Sequence, residues 1–149
     1  MEPDLDRQAV CDEMEQARRT FHRLLDSGSD TGLRQPSTGT RWNNEQLLFH
    51  MLFGYLVVRA LLLLMRLFGG LPDGFSTGFA RLLDAACKPF HVINYLGSCA
   101  GARLFGRARM SREFDRVIEA LQRRLQRESE PGLRRGMHYP TSWDPFFKD

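Results

Sequence analysis

The sequence has little lysine and few cysteines, and each shortage disfavours a class of protein. Only Lys88 and Lys148 are lysines among the 21 basic residues, so the pI near 9.0 comes from arginine. The excess over the 18 acidic residues leaves a net charge of +3, which is small for a nucleic-acid binder. Cys11, Cys87 and Cys99 include no CxxC pair. Their spacing disfavours a disulfide scaffold or a structural zinc module and favours a reducing cytoplasm.

The sequence also lacks a secretory leader and the common catalytic signatures. Its first six residues include three acidic side chains and contain no apolar stretch, so we expect no secretory signal. No nucleophile elbow, glycine-rich phosphate loop or HExxH pattern occurs. Residues 97–101 (GSCAG) have small side chains, but they lack the strand-to-helix setting that an activated nucleophile needs.

One apolar window, residues 47–65, has the length of a bilayer span. It contains His50 and Arg59, and an arginine near the middle of a span costs about 2.5–3.5 kcal/mol. A single helix has no neighbour to accommodate these groups. The preferred interpretation is therefore a buried bundle helix, with a membrane-associated protein as the weaker alternative.

The 149 residues suit a single domain spanning 1–149. Apolar residues recur every three or four positions, and no segment has the alternation typical of a strand. We therefore predict an all-α fold with helices over 4–26, 43–68, 78–87, 90–105 and 111–128, and a loop over 131–149. Asn43 or Asn44 can cap the second helix, Pro89 is expected to interrupt the next helical stripe, and Ser111 is expected to cap the last helix.

Histidines are the main candidates for chemistry. His50 lies two turns into the apolar helix, where a neutral imidazole can hydrogen-bond to a neighbour or bind Zn²⁺ or Ni²⁺. Cys87 and His91 are four residues apart, but the intervening proline is expected to disrupt the helix that would align them. His22 lies between arginines, where we expect solvent, and His138 lies in an aromatic tail that can fold over the bundle.

Four arginines form a basic cluster around one aromatic residue. They are Arg103, Arg107, Arg109 and Arg112, and Phe105 lies among them. No other feature of the sequence supports phosphate recognition, so a solvated loop and helix start is the preferred interpretation. The sequence therefore predicts no nucleic-acid partner.

Three segments resemble the DinB/YfiT-like superfamily. Residues 40–52 (TRWNNEQLLFHML) resemble the entry into its second helix, with a tryptophan in the preceding loop, a polar cap and a histidine two turns in. Residues 137–147 (MHYPTSWDPFF) resemble the loop before its last helix, and residues 90–98 (FHVINYLGS) resemble the middle of an actinobacterial subgroup.

The resemblance implies a four-helix bundle in up-down-down-up order, with extra short helices in a crossover over residues 69–110. Family members bind a divalent metal through one histidine of helix two and an HxxxH pair on helix four. By position, His50 matches the helix-two histidine. Several are transferases or isomerases that use mycothiol, bacillithiol or glutathione, while many have no assigned activity.

This sequence stops where the fourth helix should begin. We therefore expect an incomplete metal site, no catalytic residue and no competent enzyme in this chain. The apolar faces of the remaining helices would be uncovered, which favours a homodimer. A non-enzymatic helical interaction module is accordingly the alternative function.

Overall fold

The computed structural model describes residues 6–68, Gly78, Arg81 and residues 87–133. Its helices are α1 (Arg7–Ser27), α2 (Asp30–Arg34), α3 (Asn44–Phe68), α4 (Cys87–Arg127) and α5 (Glu130–Leu133). These described residues contain no strand, only one isolated antiparallel bridge. The prediction of an all-α fold is confirmed, whereas the DinB-like bundle order stays a prediction.

The chain divides into two compact units. The first comprises residues 1–59 and 97–128, and the second comprises residues 60–96 and 129–149. Within the described residues, every buried apolar side chain belongs to the first unit. These side chains are Cys11, Phe21, Leu25, Leu33, Leu48, Phe49, Leu52, Ala102, Met110, Phe114, Val117, Ile118 and Leu121. The candidate site described below lies in this first unit.

Within the first unit, α1 runs antiparallel to the second half of α4. The Arg7 guanidinium, at the start of α1, donates to the carbonyl of Leu125 at 3.2 Å. One turn further along α1, the Gln122 amide donates to the carbonyl of Cys11 at 3.3 Å. These side-chain bonds to backbone oxygens fix the alignment of the two helices.

The core of the first unit is centred on Phe114 of α4. The Phe21 ring of α1 stacks on it with centroids 4.0 Å apart, and the Tyr55 ring of α3 meets it edge-on at 5.1 Å. Burial raises the pKa of the Tyr55 hydroxyl. Each buried phenylalanine contributes about 1.5–3 kcal/mol through the apolar surface that it removes from water.

Gly106 divides α4 into two arms, residues 87–105 and 107–127. Its φ of 52° and ψ of 161° lie in a region that only glycine adopts readily. The second arm therefore begins before Ser111, so the prediction that Ser111 caps this helix is wrong. Pro89 lies in the first turn of α4, where a missing N–H removes no helical hydrogen bond. α4 is therefore continuous across Pro89, while most of the helical stripe that Pro89 is expected to interrupt lies outside the described residues.

The remaining helix boundaries differ modestly from the predicted ones. α1 begins after the cap Asp6 and α3 begins after Asn43, close to the predicted starts. The predicted loop after α1 contains the short helix α2, which Ser29 caps through a 3.0 Å bond from the Gly32 N–H.

Parts of two other predicted segments lie outside the described residues. Of the predicted helix over 78–87, the structure describes only Gly78, Arg81 and Cys87, all three helical. α5 overlaps the start of the predicted loop over 131–149, and residues 134–149 of that loop are outside the described part.

Candidate functional site

His50 lies on α3, partly buried, and two side chains hold its ring. The Trp42 ring stacks on the imidazole with centroids 4.4 Å apart and 27° between the planes. Ser98 of α4 is fully buried and places its hydroxyl oxygen 3.4 Å from His50 Nδ1. This is a long hydrogen bond whose donor depends on the histidine tautomer. The imidazole is thus positioned from one face and from one edge.

The loop before α3 positions Trp42. The Ser37 N–H donates to the Trp42 carbonyl at 2.9 Å, and the Trp42 N–H donates to Thr40 Oγ1 at 3.2 Å. Asn43 then caps α3: its Oδ1 accepts from the Gln46 N–H at 2.8 Å, while Gln46 Oε1 accepts from the Asn43 N–H at 3.0 Å. This reciprocal capping box fixes where α3 begins, and therefore where the histidine two turns later lies.

Ser98 reaches His50 because α3 and α4 approach closely at Gly101. A methyl group at Gly101 would overlap the Phe49 ring, which also meets Phe105 edge-on at 5.2 Å. Ser98 and Gly101 lie three residues apart on α4 and share a face of the helix. The small residues of the GSCAG run therefore serve close helix packing, and their three-residue spacing is the signal that could have indicated it.

The described residues do not by themselves complete a metal centre. Within residues 6–68 and 87–133, no group of three or more His, Cys, Asp or Glu side chains is placed to hold a metal ion. His50 can supply one nitrogen, and a metal would use Nε2 because Nδ1 faces Ser98. The HxxxH pair that the family resemblance implies has no counterpart among the described side chains.

The other candidate ligands are Cys87 with His91, and His138. α4 is continuous from Cys87 through His91, so the prediction that a proline separates them into misaligned segments is wrong. The side chains of Cys87 and His91 are outside the described set, as is the whole of His138.

His22 is not solvated as predicted, because it bridges α1 and α4. Its Nε2 lies 2.7 Å from Asp115 Oδ1, and its Nδ1 lies 3.4 Å from the Ser111 hydroxyl. The Arg18 guanidinium lies 4.0 Å from the same carboxylate oxygen. His22 follows the buried Phe21 and so lies at the edge of the apolar stripe, where the second helix reaches it.

The predicted arginine cluster is divided between two environments. The Arg107 guanidinium donates to Asp30 at 2.7 Å, whereas the Arg109 guanidinium lies over the Phe105 ring at 4.1 Å from its centroid. Arg107 also borders a cavity of about 270 Å³ in the first unit. The cavity is lined by Asp30, Leu33, Arg34, Glu45 and Arg107.

α3 is the one described helix that is long and apolar enough to cross a membrane. Within the stretch Asn44–Arg66, an 18-residue window has a mean hydropathy of 2.1, and 17% of that window is buried in the protein. Val58 and Leu63 are 47% and 53% exposed. A helix that is apolar on every face is thus only partly covered by the rest of the chain.

Comparison with known proteins reveals no relative of this chain. No protein-family model, no curated protein and no solved structure matches it. The likeness to the DinB/YfiT-like superfamily accordingly remains a resemblance of the quoted segments, and the candidate site rests on the geometry above.

Proposed function

We propose that this chain is a DinB-like helical domain in which His50 is one ligand of a divalent metal, Zn²⁺ or Ni²⁺. The observation that carries this proposal is the pairing of His50 Nδ1 with the buried Ser98 hydroxyl at 3.4 Å. Metal-binding histidines commonly engage a protein oxygen through the second ring nitrogen, which fixes the tautomer and the ring orientation. The Trp42 ring adds a second restraint on the same imidazole.

The proposal assigns no catalytic residue to the described part of the chain. Zinc sites in proteins use three or four protein ligands, and one imidazole does not bind the metal tightly. A completed site would activate a bound water or polarise a substrate oxygen. We infer that the thiol-dependent chemistry of the DinB-like family requires metal ligands beyond the described residues.

Equilibrium dialysis against Zn²⁺ or Ni²⁺, followed by metal analysis, tests the proposal on the full chain. We expect weak binding that His50→Ala removes. Ser98→Ala should weaken binding about tenfold or more, because it releases the ring orientation. His22→Ala is the matched control, since it removes a partly buried histidine elsewhere in the first unit. Equal metal content in wild type and His50→Ala would show that His50 is not a ligand.

A second candidate function, self-association through α3, is supported by the exposure of that helix. Leu48, Phe49 and Leu52 are buried in the first unit, so the start of α3 is committed to a protein core. The remaining residues 56–68 rise about 20 Å, which is short of the roughly 30 Å hydrocarbon core of a bilayer. A second copy of the chain therefore suits this apolar segment better than a membrane span, and a symmetric pair forms each contact twice.

Size-exclusion chromatography with light scattering tests this second candidate without detergent. We expect a dimer that the double variant Val58→Gln/Leu63→Gln converts to a monomer, because both exposed side chains lie on α3. Leu24→Gln, at an exposed leucine of α1, is the control and should leave the dimer intact. A monomeric wild type would contradict self-association, and recovery only in detergent would favour the membrane alternative.

A further inference from the structure

Five exposed arginines lie along one face of the second arm of α4. At about 100° and 1.5 Å per residue, these positions fall within an arc of about 60° and extend over about 27 Å. We call this set the arginine stripe: Arg109, Arg112, Arg116, Arg123 and Arg127. It lies wholly within the first unit.

Packing of the same arm fixes the direction of the stripe. The opposite face supplies the core of the first unit through Met110, Phe114, Val117, Ile118 and Leu121, each at most 3% exposed. Rotation of the arm would expose this apolar surface to water, which costs a free energy of about 25 cal/mol for each Å². The backbone positions of the stripe are therefore fixed, and its arginine side chains are exposed to solvent.

Acidic neighbours only partly neutralise the stripe. Arg116 pairs with Glu113 at 2.6 Å, and Arg123 pairs with Glu119 at 3.2 Å. Five positive and two negative charges leave a local excess of three. Exposed ion pairs of this kind contribute only about 0–1 kcal/mol, so an external anion can replace the carboxylate partner.

We propose that the arginine stripe binds the phosphate backbone of a nucleic acid without sequence selectivity. A row of basic side chains along one face of a helix is typical of such binding. Each guanidinium group can donate two parallel hydrogen bonds to the oxygens of one phosphate. The whole-chain charge of +3 predicts no such partner, because acidic residues elsewhere cancel the local excess. This partner is independent of the proposed metal site.

A bilayer surface fits the stripe less well than a nucleic acid. Helices that bind lipid surfaces bury an apolar face between the acyl chains, beside their basic residues. The apolar face of this arm is already buried in the protein core, so only electrostatic contacts are left for the partner. A linear polyanion satisfies these contacts without insertion of a side chain.

Fluorescence anisotropy of a labelled, mixed-sequence DNA duplex with the full chain tests the proposal between about 50 and 200 mM salt. Each phosphate contact contributes about 0.9 to the slope of log K against log salt concentration. The double variant Arg112→Gln/Arg127→Gln should therefore reduce the slope by about 1.8. Both arginines are exposed, and glutamine is a good helix former, so the fold should be kept.

The double variant Arg19→Gln/Arg23→Gln is the matched control, because it removes the same charge from exposed positions of α1. An unchanged slope in this control, with the reduced slope in the stripe variant, supports the proposal. Equal losses in both variants would overturn it, as would no binding of the duplex by wild type. Tighter binding to anionic lipid vesicles than to the duplex, lost in the stripe variant, would assign the stripe to a lipid surface and also overturn it.

Discussion

Gly101 is the residue that allows α3 and α4 to approach each other beside the candidate site. Because a methyl group there would overlap the Phe49 ring, Gly101→Ala should lower the free energy of unfolding by about 1–3 kcal/mol. Urea denaturation followed by circular dichroism measures this change. The substitution should also disturb the Ser98–His50 contact, since Ser98 lies one turn away on the same helix.

Gly97→Ala is the control for that substitution, because it changes the same residue type four positions earlier in α4. A methyl group at Gly97 meets no atom within 4 Å, so the variant should be unchanged or more stable by up to about 1 kcal/mol. If Gly101→Ala were as stable as Gly97→Ala, the close approach of α3 and α4 would not be required.

Individual side chains could be predicted from the sequence only where their own helix decides their surroundings. The position of His50 follows from the spacing between the cap at Asn43 and the apolar run that contains it. The partner Ser98 could not be predicted in this way, because it lies on a different helix, 48 residues from His50 in the sequence. The prediction that His22 is solvated is wrong for the same reason, since its partner Asp115 comes from α4.

At the level of helices, apolar periodicity predicted the elements better than it predicted their ends. α1 and α3 lie close to the predicted segments because caps and apolar stripes are local features. For α4, the predicted end of the 90–105 helix coincides with the break at Gly106, whereas the helical residues 107–110 lie outside the predicted segments. The continuity of α4 across Pro89 also differs from the prediction, because a proline in the first turn is compatible with a helix.

The arginines of α4 show why chain neighbours are a poor guide to a shared surface. Arg107 and Arg109 are two residues apart, but Arg107 pairs with Asp30 while Arg109 belongs to the arginine stripe. Helical spacing, at intervals of three, four and seven residues, instead relates Arg109 to Arg112, Arg116 and Arg123. A cluster defined by proximity along the chain therefore mixed two different surfaces.

At the scale of the whole molecule, the buried apolar side chains of the described residues and the candidate site both lie in the first unit. The apolar length of α3 extends beyond that core, which supports the proposed self-association. Apolar periodicity predicts an all-α protein, and helix packing then determines which polar groups meet. The proposed metal-binding role of His50 depends on this packing, because Ser98 and Trp42 come from separate segments.

A Zn²⁺ titration followed by NMR of the histidine side chains tests whether His50 is a metal ligand. The full chain has four histidines, at positions 22, 50, 91 and 138, so each ring can be assigned by substitution. We expect the ring signals of His50 to shift or broaden at the lowest Zn²⁺ concentration, while those of His22, already bonded to Asp115, stay unchanged. An unaffected His50 ring, with a response at any other histidine, would show that His50 does not bind the metal.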